Sequence, residues 1–317
     1  MRKICLLGGT GFVGKQLANR LFKMGWQVRV LTRRREEHRE LLVLPTLELL
    51  STNYEQAQLN EQTRGCDVVI NLVGILNESG HDGKGFHKAH VELPQKVIVA
   101  CQENKIKRLL HISALNADAT QKNSHYLRTK GEAEDLIHAV SDVHVTSFRP
   151  SVIFGEGDSF LNRFVSMLRV PSPIFMLPSF DAKLAPVWVN DIVRAMLEVV
   201  ENPQYDGQRY NFCGGSVYTL QELVAYLAKL IGVKRHIVPL GDKPSYLAAR
   251  VMEWVPGKPY SLDNYYSSQI SNVCGHNNDL LKFGMTPHSV ESIVPKYLAA
   301  PTTHRELYST FRYKAHR

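Results

Sequence analysis

The chain has 317 residues, of which 44% are apolar and 21% charged, enough for one full hydrophobic core and a smaller second one. Its formal net charge of +8 suits acidic partners: nucleotide phosphates, nucleic acid or an anionic membrane surface. The sequence has no zinc-finger spacing, helix-turn-helix signature or aromatic-basic repeat, which argues against nucleic acid.

In chain order, Lys3 to Leu7 is a short apolar run that ends at glycines; Val13, Leu17 and Leu21 then recur at helical spacing until Gly25. Further strands are expected at 27–32, 47–50, 67–75, 108–114 and 143–151, with helices at 93–104 and 124–139. Strand runs of this buried character, alternating with helices, specify an α/β fold: a Rossmann-type doubly wound parallel sheet covered on both faces. After Pro150, prolines and glycines crowd the sequence. There "APVWVNDIVRAMLEVV" (185–200) reads as one more strand-helix unit returning to the main sheet. The expected organisation is a dinucleotide-binding domain from 1–155 and 180–200, a mostly helical substrate or partner lobe from 156–179 and 201–301, and a basic tail at 302–317.

Five cysteines (Cys5, Cys66, Cys101, Cys213 and Cys274) are odd in number, far apart and mostly set in apolar runs. That is the pattern of buried thiols in a reducing compartment, without a disulfide framework. No CxxC pair or HExxH spacing occurs, so no metal is expected. Met1-Arg2-Lys3 before "ICLL" imitates a signal peptide, but Gly8, Gly9 and Gly11 break the apolar stretch at once. Apolar runs such as "VVINLVGIL" fall short of the roughly 20 residues of a spanning helix. The expectation is a cytoplasmic protein, soluble or peripheral to the inner face of a membrane.

In "LLGGTGFVG", Gly8, Gly11 and Gly14 stand as G-x-x-G-x-x-G between strand and helix, with Thr10, Phe12 and Val13 in the same turn. One glycine serves the turn, one admits a pyrophosphate to the backbone, and one lets helix pack on strand. The helix N-terminus adds N–H groups and partial positive charge. The second strand runs into "LTRRREEH", so Thr32, Arg33 and Arg34 stand where NAD binders carry an acid for the ribose hydroxyls. Arginine there favours a 2′-phosphate: NADP(H) is favoured and NAD(H) is the alternative.

"HYLRTKGEAE" puts Tyr126 and Lys130 on one helix face, and Ser113 ends the fifth strand. A tyrosine with its ordinary pKa near 10 is a poor proton-transfer group at neutral pH; the Lys130 ammonium and an oxidised nicotinamide would lower it. Lys130 would also hold the nicotinamide ribose, and Ser113 would orient a substrate oxygen.

A Tyr-x-x-x-Lys helix with a preceding Ser, downstream of the glycine cradle, resembles the short-chain dehydrogenase/reductase superfamily. The resemblance implies that Asn71, Val73 and Gly74 line the cofactor and that Pro150 and Ser151, in "FRPSVIFGEGD", lie by the nicotinamide. "PVWVNDIVRA" resembles the motif of extended members with a substrate lobe. From Lys3 to about Leu298, with "HISALNADATQKNSHYLRTKGEAE" the most specific stretch, the chain is similar to one atypical branch. That branch holds the NAD(P)H-binding alpha-subcomplex accessory subunits of respiratory complex I and their free-standing bacterial relatives. Its mitochondrial members hold NADPH tightly and are regarded as structural, while others are linked to quinone biosynthesis or membrane-associated redox assemblies. Two departures stand out: Asn53 replaces an adenine-contacting Asp of many relatives, and His90 replaces the Asn of most extended members.

Three functions follow, in order of preference. The first is a hydride-transferring oxidoreductase on an apolar, quinone- or isoprenoid-like small molecule, with the apolar run 169–180 lining its pocket. The second is a non-catalytic NADPH-binding scaffold or redox sensor on a respiratory or quinone-synthesis complex. The third is a nucleotide-sugar epimerase or dehydratase, ranked lowest because the lobe lacks a cluster for a second pyrophosphate. The segment "SYLAARVMEWVPGKPY" and the basic, aromatic tail are read either as parts lying on an anionic membrane or partner, or as lobe helices and a frayed end.

Overall fold

The computed structural model describes residues 2–298, so the tail at 302–317 lies outside the described residues. The first six strands are β1 (Lys3–Leu7), β2 (Gln27–Thr32), β3 (Leu47–Ser51), β4 (Val68–Asn71), β5 (Arg108–Ile112) and β6 (His144–Pro150). The helices among and before them are α1 (Phe12–Lys23), α2 (Gln56–Thr63), α3 (Lys84–His87), α4 (Leu93–Glu103) and α5 (His125–His138). β4 stops four residues short of its expected end. Asn71 Oδ1 accepts the Val73 N–H at 3.1 Å, a local turn that competes with the ladder and takes the chain off the sheet.

Beyond β6 come β7 (Ile153–Phe154), α6 (Leu161–Arg169), β8 (Ile174–Leu177), β9 (Lys183–Leu184), β10 (Val187–Trp188) and α7 (Val189–Glu201). They are followed by β11 (Arg209–Phe212), β12 (Tyr218–Thr219), α8 (Leu220–Leu230), β13 (His236–Pro239), α9 (Asp242–Met252) and α10 (Leu262–Ser268). The main sheet runs β11-β6-β5-β4-β1-β2-β3, parallel throughout. The 185–200 unit supplies the expected helix but no main-sheet strand: β10 pairs with β7 in a separate two-stranded ribbon. The seventh strand is β11, from the stretch read as lobe. It joins because Tyr210 and Phe212 stack on Phe148 of β6, with ring centroids 6.3 and 5.6 Å apart.

One face of the sheet is sealed by α1 and α7 through Leu17, Leu21, Ile192 and Met196. The other is sealed by α2, α4 and α5 through Leu59, Val97, Ile98 and Ile137. Burying each of these aliphatic side chains contributes about 1.5–3 kcal/mol. The lobe has its own core, with Leu161 and Val165 packed near Leu177, Leu223 and Leu227. Asp191, in the "PVWVNDI" motif and fully buried, fastens lobe to sheet by accepting the His288 backbone N–H at 2.9 Å. No helix among the described residues is long and apolar enough to cross a membrane.

The disulfide-free expectation is corrected. Cys5, Cys66 and Cys101 are buried thiols, but Cys213 and Cys274 form a disulfide with Cα atoms 5.9 Å apart. The two are separated by 61 positions and meet only because β11 takes the edge of the sheet against the loop after α10. Thiol titration of the denatured protein should therefore give three groups per chain before reduction and five after it.

Candidate active site

β1 ends where the sheet order reverses, with β2 on one side and β4 on the other, the crevice in which such sheets bind ligands. Gly8 turns the chain there at φ +74°, a conformation that side chains disfavour. A Cβ on Gly14 would lie 2.5 Å from Gly8 O, so only glycine lets α1 approach this closely. Gly11 is the N-cap of α1, no side chain caps the helix and no acid sits in its first turn, so its amino end is open to an anion. Thr10, Phe12 and Val13 are partly buried around it. These features fit a pyrophosphate.

At the adenosine end, Thr32 is buried and its Oγ1 accepts the Arg34 N–H at 3.3 Å. The Arg34 guanidinium pairs with Glu37 at 3.1 Å, whereas Arg33 is exposed and acts on Tyr54, opposing the rise that burial gives the Tyr54 hydroxyl. Asn53 Oδ1 accepts the Glu55 N–H at 2.9 Å in the turn before α2, and its NH₂ takes no part in that bond. Asn71 is fully buried and faces the sheet: its Nδ2 lies 3.3 Å from His111 Nδ1. It shapes the turn bearing Val73 and Gly74.

Lys130 is 2% exposed, and its Nζ donates to Ile112 O at 3.0 Å. Burial lowers its pKa to about 8, with Glu134 opposing. A Cβ on Gly74 would stand 3.1 Å from Lys130 Nζ, so the absence of a side chain there keeps space above the ammonium. Ser113 Oγ is buried and has no partner among the described residues, a hydroxyl available to a bound oxygen. The Tyr126 ring meets Phe86 and His90 edge-on at 6.1 and 5.5 Å. Burial, then the Asp263 charge, pushes the Tyr126 hydroxyl up to about 12, opposite in direction to the depression expected from Lys130. The ammonium gives no counterweight, because its Nζ is turned to Ile112 O. Pro150 is buried nearby, and Ser151 Oγ is engaged with the lobe, donating to Asn272 O at 2.9 Å.

Two groups essential to this geometry escaped the sequence reading. Asp263, on α10, accepts the Ser124 hydroxyl at 3.1 Å and the Tyr126 backbone N–H at 3.2 Å, clasping the amino end of α5. His90 was noticed only as a replacement for Asn. It sits on a π-helical turn (Lys88–Glu92), a distortion often found at functional sites. Its Nε2 accepts the Ile75 N–H at 3.0 Å and its Nδ1 lies 3.0 Å from Thr129 Oγ1, whose hydroxyl donates to His125 O at 2.7 Å. That chain assigns a neutral ring with the proton on Nδ1. Burial, then the charges of Lys130 and His111, lowers its pKa to about 2.

Beside α5 lies a cleft of about 270 Å³ bordered by Phe86, His125 and Asp263, with His81, Arg250 and Trp254 at its edge. The apolar run 169–180, expected to line the pocket, contributes none of its walls. Phe175, Leu177 and Phe180 pack into the lobe core instead, while Ile174 and Met176 face outward.

A glycine cradle at the switch point, with Ser, Tyr and Lys gathered at the sheet's carboxyl edge, defines a Rossmann-type nucleotide-binding protein. Residues 4–213 match the NAD dependent epimerase/dehydratase family, and the chain belongs to that family. It is 29% identical over 231 residues to mouse NADH dehydrogenase [ubiquinone] 1 alpha subcomplex subunit 9, mitochondrial, covering 70% of this chain and 59% of the mouse protein. It is 25% identical to the 4-hydroxy-2-methyl-3-oxo-4-farnesyl-3,4-dihydroquinoline-1-oxide ketoreductase of Stigmatella aurantiaca, covering 78% of each. It is also 26% identical to the ceramide reductase of Caulobacter vibrioides, covering 78% of this chain and 75% of the relative. Among solved structures, MoeE5 in complex with UDP-glucose and NAD superposes with a TM-score of 0.65 at 21% identity, over 75% of this chain and 85% of that one, a likeness of fold.

Gly14→Ala should weaken dinucleotide binding by about tenfold or more, read by calorimetric titration. His90 and His111 both have folded pKa values well below the ordinary 6.5. Below about pH 6.5 the unfolded chain therefore binds protons that the folded chain refuses, and stability falls as pH falls, by roughly 1.4 kcal/mol per unit for each ring. Burial lowers His138 in the same way, to about 4, so the melting temperature should drop between pH 7.5 and 5.5, and His90→Asn should remove about a third of that drop.

Proposed function

We propose that this protein reduces a carbonyl group on an apolar substrate, quinone- or prenyl-like in class, using a nicotinamide cofactor with NADPH preferred. The observation that carries this reading is the buried Lys130 ammonium donating to Ile112 O beside the unpartnered Ser113 hydroxyl, with Tyr126 one helical turn before Lys130 on the same face of α5. Burial holds the Tyr126 hydroxyl protonated, its pKa at about 12. A protonated tyrosine suits the reductive direction, in which a carbonyl oxygen must gain a proton. The cofactor, when bound, supplies the hydride. Gly8, Gly11 and Gly14 hold its pyrophosphate, and Lys130 binds its ribose. Ser113 donates to the substrate oxygen, and Tyr126 passes its proton to that oxygen, leaving a phenolate that solvent reprotonates. Two relatives named as reductases, one of a farnesylated ring and one of ceramide, support both the reaction and the apolar substrate class.

The NADPH preference rests on Arg33, exposed after β2 where no acid stands. The likeness to the mouse subunit supports a second reading, a cofactor-stabilised scaffold or redox sensor at a respiratory complex. That reading demands retained cofactor that no substrate oxidises.

Tyr126→Phe should keep cofactor affinity within about twofold and lower kcat by about a hundredfold or more, measured as NADPH oxidation with a prenylated quinone. Turnover unchanged in this variant would remove Tyr126 from the chemistry. Arg33→Ala should lower NADPH affinity by about tenfold while leaving NADH affinity unchanged in the same titration, the size of one charge-assisted hydrogen bond.

A further inference from the structure

We infer that the outward face of α9 docks on an anionic bilayer surface. At 3.6 residues per turn, Lys243, Leu247, Arg250, Val251 and, in the turn that follows, Trp254 project on one side, opposite the buried Ser245 and Ala249. Leu247, Val251 and Trp254 are 62%, 61% and 79% exposed. Single exposed apolar residues are ordinary, whereas an apolar stripe rimmed by polar groups marks an interaction site.

Charge chooses the partner. The two cations lie within the stripe, and the acids of the same segment are held off it. Asp242 accepts the Tyr265 hydroxyl, and Glu253, its side chain 14% exposed, lies 3.4 Å from His81 Nδ1. An outward face of Leu, Val and Trp with Lys and Arg and no acid matches the headgroup–acyl boundary of an anionic bilayer. There apolar side chains insert and cations meet phosphates. A second copy of this chain would bring the same cations against themselves. Arg250 and Trp254 also border the cleft beside α5, so docking turns the mouth of that cleft toward the lipid.

This surface stands apart from the hydride-transfer reading, because its test needs neither cofactor nor substrate. The full chain is sedimented with vesicles of phosphatidylcholine alone or mixed with phosphatidylglycerol, at low and high salt. Binding should favour the anionic vesicles by about tenfold and weaken in salt. Leu247→Asp with Val251→Asp, neither of which borders the cleft, should cost about tenfold in vesicle binding at an unchanged melting temperature. Lys243→Glu provides an independent arm that keeps the apolar stripe and should weaken only the binding to anionic vesicles. The proposal is overturned if the native chain ignores anionic vesicles, if neutral vesicles bind equally, or if the variants bind as the native chain does. A soluble dimer that the double variant dissolves, with no vesicle binding, would also overturn it and give the stripe to a second copy.

Discussion

The burial of one face of α5 between sheet edge and lobe governs the protonation states of the whole crevice. One cause, loss of water, acts on three groups: it lowers Lys130, lowers His90 and raises Tyr126. Each shift favours the neutral form, as burial must. A second cation beside Lys130 would be repelled in so dry a place, and His90 and His111 accordingly stay neutral. The result is a defined proton inventory: two neutral imidazoles, a protonated phenol and a lysine whose ammonium is weakened by burial.

That dryness depends on how α5 is fixed at both ends. Its amino end is held by Asp263 from the lobe, where a carboxylate also complements the helix dipole. Toward its other end, the fully buried Glu134 takes guanidinium groups from Arg149 of β6 and Arg209 of β11. The helix that carries Tyr126 and Lys130 is thus tied to the lobe at one end and to the edge of the sheet at the other. His90 adds a third tie, holding the loop at Gly74 and Ile75 against the middle of the helix.

What could be read from the amino acids follows the range of each interaction. Each of the first six strands carries a cluster of apolar residues set off by turn signals or helical spacing, and the cradle is a matter of three glycines within seven residues, so both were legible. Tyr126 and Lys130 were legible because one helical turn relates them. Asp263 was not: it meets Tyr126 across 137 positions, and the contact exists only once the lobe has folded back. β11 was missed because four residues, "RYNF", carry too little pattern, and its place is decided by aromatic stacking on Phe148. The run at 169–180 misled because a strand shows alternate residues to opposite sides, and composition does not say which side is covered.

The Cys213–Cys274 bond has a topological consequence. Most of the lobe, from α8 through α10, lies between these two residues and is therefore a covalently closed circuit rooted at the last strand of the sheet. A protease cut within that circuit would leave both fragments joined. Partial opening of the lobe would be confined to excursions that begin and end at the same point. The segment bearing Asp263 would return to α5 from a short leash, and the crevice would reassemble without the lobe having to find the sheet again.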